Sequence, residues 1–77
     1  MADLQALRRA ADLLEDWAKE HGYNAMLNET DPHADAGIKL YAVSLKALVA
    51  KARADAADFR WRAMRAELSP NESEEQG

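Results

Sequence analysis

Residues 32–68, PHADAGIKLYAVSLKALVAKARADAADFRWRAMRAEL, decide the fold. After Gly37 neither Pro nor Gly interrupts them, and apolar residues recur at Ile38, Ala42, Leu45, Val49, Ala52, Ala56, Phe59 and Ala63, with Tyr41 and Leu48 alongside. That alternation of three and four residues is the seam of one helix facing another. The stretch predicts a single long helix. Asp31-Pro32 starts it, the aspartate as cap and the proline at the first helical position, and Ser69-Pro70 stops it. Gly37 weakens the first turn by about 1 kcal/mol relative to Ala, so the start can slip toward Asp35 or Gly37. At 1.5 Å per residue the element would span roughly 55 Å.

Upstream, Asp3 is suited to cap a first helix that runs to about Glu20. Its stripe is Leu4, Leu7, Ala11, Leu14 and Ala18, widened by Ala6, Ala10, Leu13 and Trp17. Arg8–Asp12, Arg9–Asp12 and Glu15–Lys19 are spaced for pairing along its surface. His21-Gly22 reads as its end, the imidazole at the negative terminus and the glycine as left-handed cap. Tyr23, Met26 and Leu27 then predict a short helical piece within the connection 22–31.

The predicted helices are unequal. The first spans roughly 27 Å, about half of the second, and as a hairpin it covers only part of the Ile38–Ala63 seam. Ile38 to about Val49 is expected to close against the chain's own first helix and connection. Ala52 to Leu68, with Phe59, Ala63 and Met64, is left for another chain, and a two-fold homodimer would use that surface twice. Ile38, Leu45, Val49, Ala52, Ala56, Phe59 and Ala63 are therefore the expected core and dimer seam.

Composition supports this reading. Seventy-seven residues allow one domain, taken as 1–68, followed by a polar, acidic tail, 69–77, expected to be disordered. The chain has no Cys, which removes disulfides and thiolate metal sites. Abundant Ala and few β-branched residues favour helix, but Ala-filled layers bury little area at about 25 cal/mol per Å². A short chain with a thin core commonly gains stability by oligomerising. The net charge of −4 is unevenly placed: residues 39–65 carry seven Lys or Arg against Asp55 and Asp58, whereas residues 2–20 carry three basic and five acidic groups. There is no membrane-spanning run and no signal-peptide pattern, so a cytoplasmic location is expected.

Three constellations invite a chemical reading. Glu29, Asp31, His33 and Asp35 alternate acids with a histidine, but they depart from a calcium loop, with Ala42 at the bidentate Glu position, and a helix start accounts for the acids. His21 and His33 lie at opposite ends of the connection, with Tyr23 and Glu29 between them. No Ser or Cys nucleophile and no phosphate loop accompanies them. No catalytic, cofactor or metal residue is expected. The third is Phe59-Arg60-Trp61-Arg62-Ala63-Met64-Arg65. On a helix these side chains do not share a face: Phe59 and Ala63 continue the seam, whereas Trp61 points almost oppositely, near Val43, Ala50, Ala54 and Leu68. With Met64, Leu68 and the Ala-rich strip it forms a second apolar surface flanked by arginines, the composition of a protein-binding hot spot; burial of the same surface in the homodimer is the equal alternative.

The reading is thus all-α, a helical hairpin that dimerises into a bundle-like assembly. It is expected to be a non-enzymatic regulator or inhibitor that binds a partner protein through Arg53, Arg60, Trp61, Met64 and Arg65. The alternative is a dimeric RNA- or DNA-binding protein using the basic half of the second helix. A two-helix unit that pairs into a bundle resembles, in architecture alone, the plasmid RNA-binding four-helix proteins and small phage-encoded inhibitors. No motif of the chain matches either group. The Ala-, Arg- and Asp-rich usage points to a bacterial or phage source.

Overall fold

The computed structural model describes residues 3–68. They form two helices, α1 (Leu4–Thr30) and α2 (Ala36–Leu68), joined by the turn 31–35. The helices run antiparallel: Arg8, near the start of α1, pairs with Glu67 at the end of α2 (2.8 Å), and Glu29, near the end of α1, pairs with Lys46 (3.5 Å). The expected all-α hairpin is the observed architecture. The tail 69–77 lies outside the described residues.

Asp3 caps α1 as its side chain accepts a hydrogen bond from the Gln5 amide (3.0 Å). The far end of α1 differs from the sequence expectation. The helix does not stop at His21-Gly22 but continues to Thr30, so the predicted separate piece in the connection is its last two turns. Gly22 has no left-handed backbone. It lies against α2, where an added Cβ would come within 3.4 Å of an Arg53 guanidinium nitrogen and 3.5 Å of a Val49 methyl. The stripe also continues through the glycine, because Ala25 follows Ala11 and Ala18 at the seven-residue interval, and all three are buried. Packing of that stripe outweighs the roughly 1 kcal/mol cost of a glycine inside a helix.

The start of α2 takes the slip toward Asp35 and not the Asp31-Pro32 start. Pro32 lies in the turn, whose Asp31 side chain accepts from the His33 amide (2.9 Å). Asp35 is the cap: its carboxylate accepts from the Ile38 amide (2.8 Å) and its carbonyl from the Lys39 amide (3.1 Å). The helices are therefore 27 and 33 residues long, about 40 and 50 Å, and the two-to-one mismatch disappears. With it goes the uncovered half of the seam. Ala52, Ala56 and Ala63 are buried, and α1 from its start to about Ala25 lies across them, held by Arg8–Glu67 and by Asp12 and Glu15 to Arg60.

Among the described residues nine are buried, and seven of them are Ala; the other two are Leu45 and Val49. Leu14 and Trp17 pack against the central cluster of Ala18, Ala25, Leu45, Val49 and Ala52. Small residues let the helices lie close but bury little surface. The radius of gyration, 17.3 Å, far exceeds the roughly 11 Å of a compact domain of this size. The hairpin is a rod of 58 × 15 × 14 Å with most of its side chains on the outside.

Candidate functional site

A rod 58 Å long and about 15 Å across presents mainly its faces and edges to other molecules. The inner face of α2 is occupied by α1: Leu45, Val49, Ala52, Ala56 and Ala63 are buried there and Phe59 is half-buried. Ile38, the first residue of the predicted seam, is 42 % exposed because α1 has already ended opposite it.

One edge of the hairpin is electrostatic. Along α2 every seventh residue from Lys46 onward, Lys46, Arg53, Arg60 and Glu67, meets every seventh residue of α1 in reverse order, Glu29, Gly22, Glu15 and Arg8. Arg60 holds two partners. Its guanidinium donates to Asp12 (2.6 Å) and to both carboxylate oxygens of Glu15, and this hydrogen bonding holds the Glu15 carboxyl below its ordinary value of 4.5 while raising the Arg60 pKa further. The acids of α1 therefore reach across to α2, where sequence spacing had paired Asp12 and Glu15 with bases on their own helix. The sign reversal at Arg8–Glu67 fixes the register: a slip of seven residues would oppose either Arg8 to Arg60 or Glu15 to Glu67. At Gly22 the row has no acid. A groove of about 440 Å³ opens there, lined by Gly22, Met26, Val49 and Arg53 among others.

The basic stretch of α2 is largely engaged inside the chain. Lys46 pairs with Glu29, Lys51 with Asp55 (2.7 Å), Arg60 with Asp12 and Glu15, and Arg62 with Asp58 (2.9 Å). Arg62 also lies over the Phe59 ring, 5.8 Å from its centroid. Among the described residues this leaves Lys39, Arg53 and Arg65 as cations of α2 without a carboxylate in ion-pair range, and they do not form one patch.

The outer face of α2 is different. Leu40, Val43, Ala47, Ala50, Ala54, Ala57, Trp61, Met64 and Leu68 repeat the three-and-four spacing along its whole length, and every one of them is exposed. Trp61 is 53 % exposed and Leu68 is 74 % exposed. This second stripe is displaced by about 150° from the inner one, at 100° per residue. Of the five residues expected to bind a partner, Trp61 and Met64 lie on it and Arg65 lies beside it. Arg53 and Arg60 stand on the opposite flank, Arg60 clasped to α1 and Arg53 leaning over Gly22. Leu40, Ala47 and Ala57 are the members that sequence reading left out. Their signal was the same interval that revealed the inner seam, hidden by the larger Tyr41 and Leu48 nearby.

The other constellations resolve into local structure. Asp31 and Asp35 serve as turn and helix caps, and Glu29 pairs with Lys46. His21 packs on Trp17, with ring centroids 4.6 Å apart, while His33 sits in the turn, a separate element from His21. No cluster of three or more metal-ligating side chains occurs among the described residues, and no helix among them is long and apolar enough to cross a membrane. A remaining apolar edge, with Leu13, Leu27, Tyr41 and Leu48 exposed, is interrupted by Glu20, Asn24 and Asp55. No family model, no curated protein and no solved structure matches the chain.

Proposed function

We propose that the chain is a small non-enzymatic interaction module, a regulator or inhibitor that works by laying the outer face of α2 along another protein helix. The observation that carries this reading is the exposed stripe Leu40–Leu68, a full-length helix-pairing seam with no helix on it. Contiguous apolar patches of this length are uncommon on free surfaces and mark interaction sites. Trp61 and Met64 would supply the anchoring contacts and Arg65 a charged rim. Docking of this kind makes and breaks no bond. The paired state of the basic residues gives the nucleic-acid alternative no specific support.

The reading is tested in a Trp17→Phe background, where Trp61 is the only indole. Docking predicts a blue-shifted, quencher-protected Trp61 in the bound state, and a Trp61→Ala variant that keeps its helicity but loses the complex. An indole fully hydrated under all conditions, with Trp61→Ala retaining every wild-type association in extracts of the native host, would overturn it.

A further inference from the structure

The geometry points to a specific occupant of that face: α2 of a second copy, antiparallel, about a two-fold axis through Ala54. This rests on the docking reading and names its partner.

Three observations favour a copy of the same chain. The first is size. The stripe is bulky at both ends, Leu40 and Val43 at one and Trp61, Met64 and Leu68 at the other, and Ala through the middle at 47, 50, 54 and 57. Reversed about Ala54 it fits itself. Ala54 meets Ala54 of the second copy, Ala47 meets Trp61, Val43 lies by Met64, Ala50 by Ala57, and Leu40 by Leu68. A parallel pairing would instead stack Trp61 on Trp61 and hold the helices apart at the alanines.

The second is charge. The flank away from α1 carries Ser44, Lys51, Asp58 and Arg65. The same two-fold sets Lys51 beside Asp58 of the second copy and Asp58 beside its Lys51, joining them to the pairs that each already makes along its own helix with Asp55 and Arg62, with Ser44 opposite Arg65. On the other flank the two-fold brings Lys46 near Arg60 of the second copy and Arg53 near its Arg53; Lys46 and Arg60 are already neutralised by acids of α1, and Arg53 extends aside toward Gly22, so the orientation rests on the Lys51–Asp58 flank. Opposite charges across a helix pair set orientation, as the hairpin's own charged edge does.

The third is extent. Contact along about 42 Å of helix would bury on the order of 700 Å² per copy, near the roughly 800 Å² per partner of a standard stable interface. The assembly is a row of four helices, α1–α2–α2–α1, with an alanine core between each pair and the larger apolar side chains enclosed at the new contact.

The test uses the full chain in sedimentation equilibrium. The wild type is expected to be dimeric at micromolar concentration. Ala54→Glu, at a position exposed in the hairpin, should keep the helicity and raise the dissociation constant at least a hundredfold. A short thiol-specific cross-linker then reads the orientation: Leu40→Cys and Leu68→Cys should cross-link only when mixed. Either variant cross-linking efficiently with itself would overturn the antiparallel pairing. A monomeric wild type would overturn the second copy as occupant. In that event, a partner lost on Trp61→Ala would leave the docking reading standing, and no such partner would remove both. Should Ala54→Glu unfold, Met64→Lys at the other exposed row repeats the test, and the cross-linking result stands independently of either.

Discussion

The two faces of α2 carry nearly the same pattern and have different fates. Inside, Ala42, Leu45, Val49, Ala52, Ala56 and Ala63 are buried by α1; outside, Leu40 to Leu68 keep the same spacing and meet solvent. The apolar outer residues are, on the whole, the larger ones. Spacing alone therefore does not say which face the chain folds onto. The rows beside each face do: Lys46, Arg60 and Glu67 find Glu29, Glu15 and Arg8 on α1, and the outer face has no charged row of α1 within reach. Apolar periodicity makes a face adhesive, and the charges beside it select the partner and the register.

The sharpest way to break this comparison is at adjacent residues. Ala56 is fully buried and Ala57 is exposed one position on. Ala56→Leu forces a larger side chain between close-packed helices and should cost about 2 kcal/mol or more. Ala57→Leu should change hairpin stability by less than about 0.5 kcal/mol. Urea unfolding followed by circular dichroism at submicromolar concentration measures both. Equal losses would mean that the two faces are not distinct in the isolated chain.

A smaller effect of opposite sign is expected at Gly22. As a helix-interior residue it should gain from alanine. Gly22→Ala is expected to stabilise the hairpin by about 0.5–1 kcal/mol, or a few degrees in Tm. The new methyl would meet a Val49 methyl at 3.5 Å and the movable end of Arg53 at 3.4 Å. A left-handed cap would show the reverse, a destabilisation of about 1 kcal/mol. A drop in thermal midpoint would therefore restore the helix end that the sequence suggests.

Gly22 also shows why part of the fold was legible and part was not. The long seam from Ala42 to Ala63 and the Asp3 cap follow from local rules of spacing and capping, and both are present. The ends of the hairpin depend on tertiary contact. His21-Gly22 satisfies the local description of a stop signal, and only the position of α2 shows that residue 22 lies inside the hairpin, facing Val49 and Arg53. Ala25, seven residues beyond Ala18, was the available counter-signal. With a helix end at Glu20 the two helices are mismatched and the Ala52–Leu68 seam is bare, which is why the expected dimer contact falls on the inner face, where α1 in fact lies. Trp61 and Met64 were legible as an outward patch because their direction depends on helical geometry alone. Arg60 was not, since its commitment to Asp12 and Glu15 spans forty-five residues or more of sequence.

The charged edge offers the finest test, and its sign can be worked out. Glu15 is held below its ordinary value of 4.5 because Arg60 donates hydrogen bonds to its carboxylate and adds positive charge nearby. A carboxyl depressed in the folded state contributes stability that is present above its unfolded value and disappears as pH falls through the folded one. The wild type should therefore lose this contribution below pH 4.5, the ordinary value for the group. Arg60→Gln has none to lose. The difference in thermal midpoint between the two should be present at neutral pH and shrink as the pH falls below 4.5 through the depressed Glu15 value. It should also diminish with added salt, since both partners lie at the surface and are screened. A difference that persists unchanged in acid would mean that Arg60 acts through its aliphatic stem against α1 and not through charge. The inner face would then be selected by shape, and the contrast between the two faces of α2 would need an explanation in packing alone.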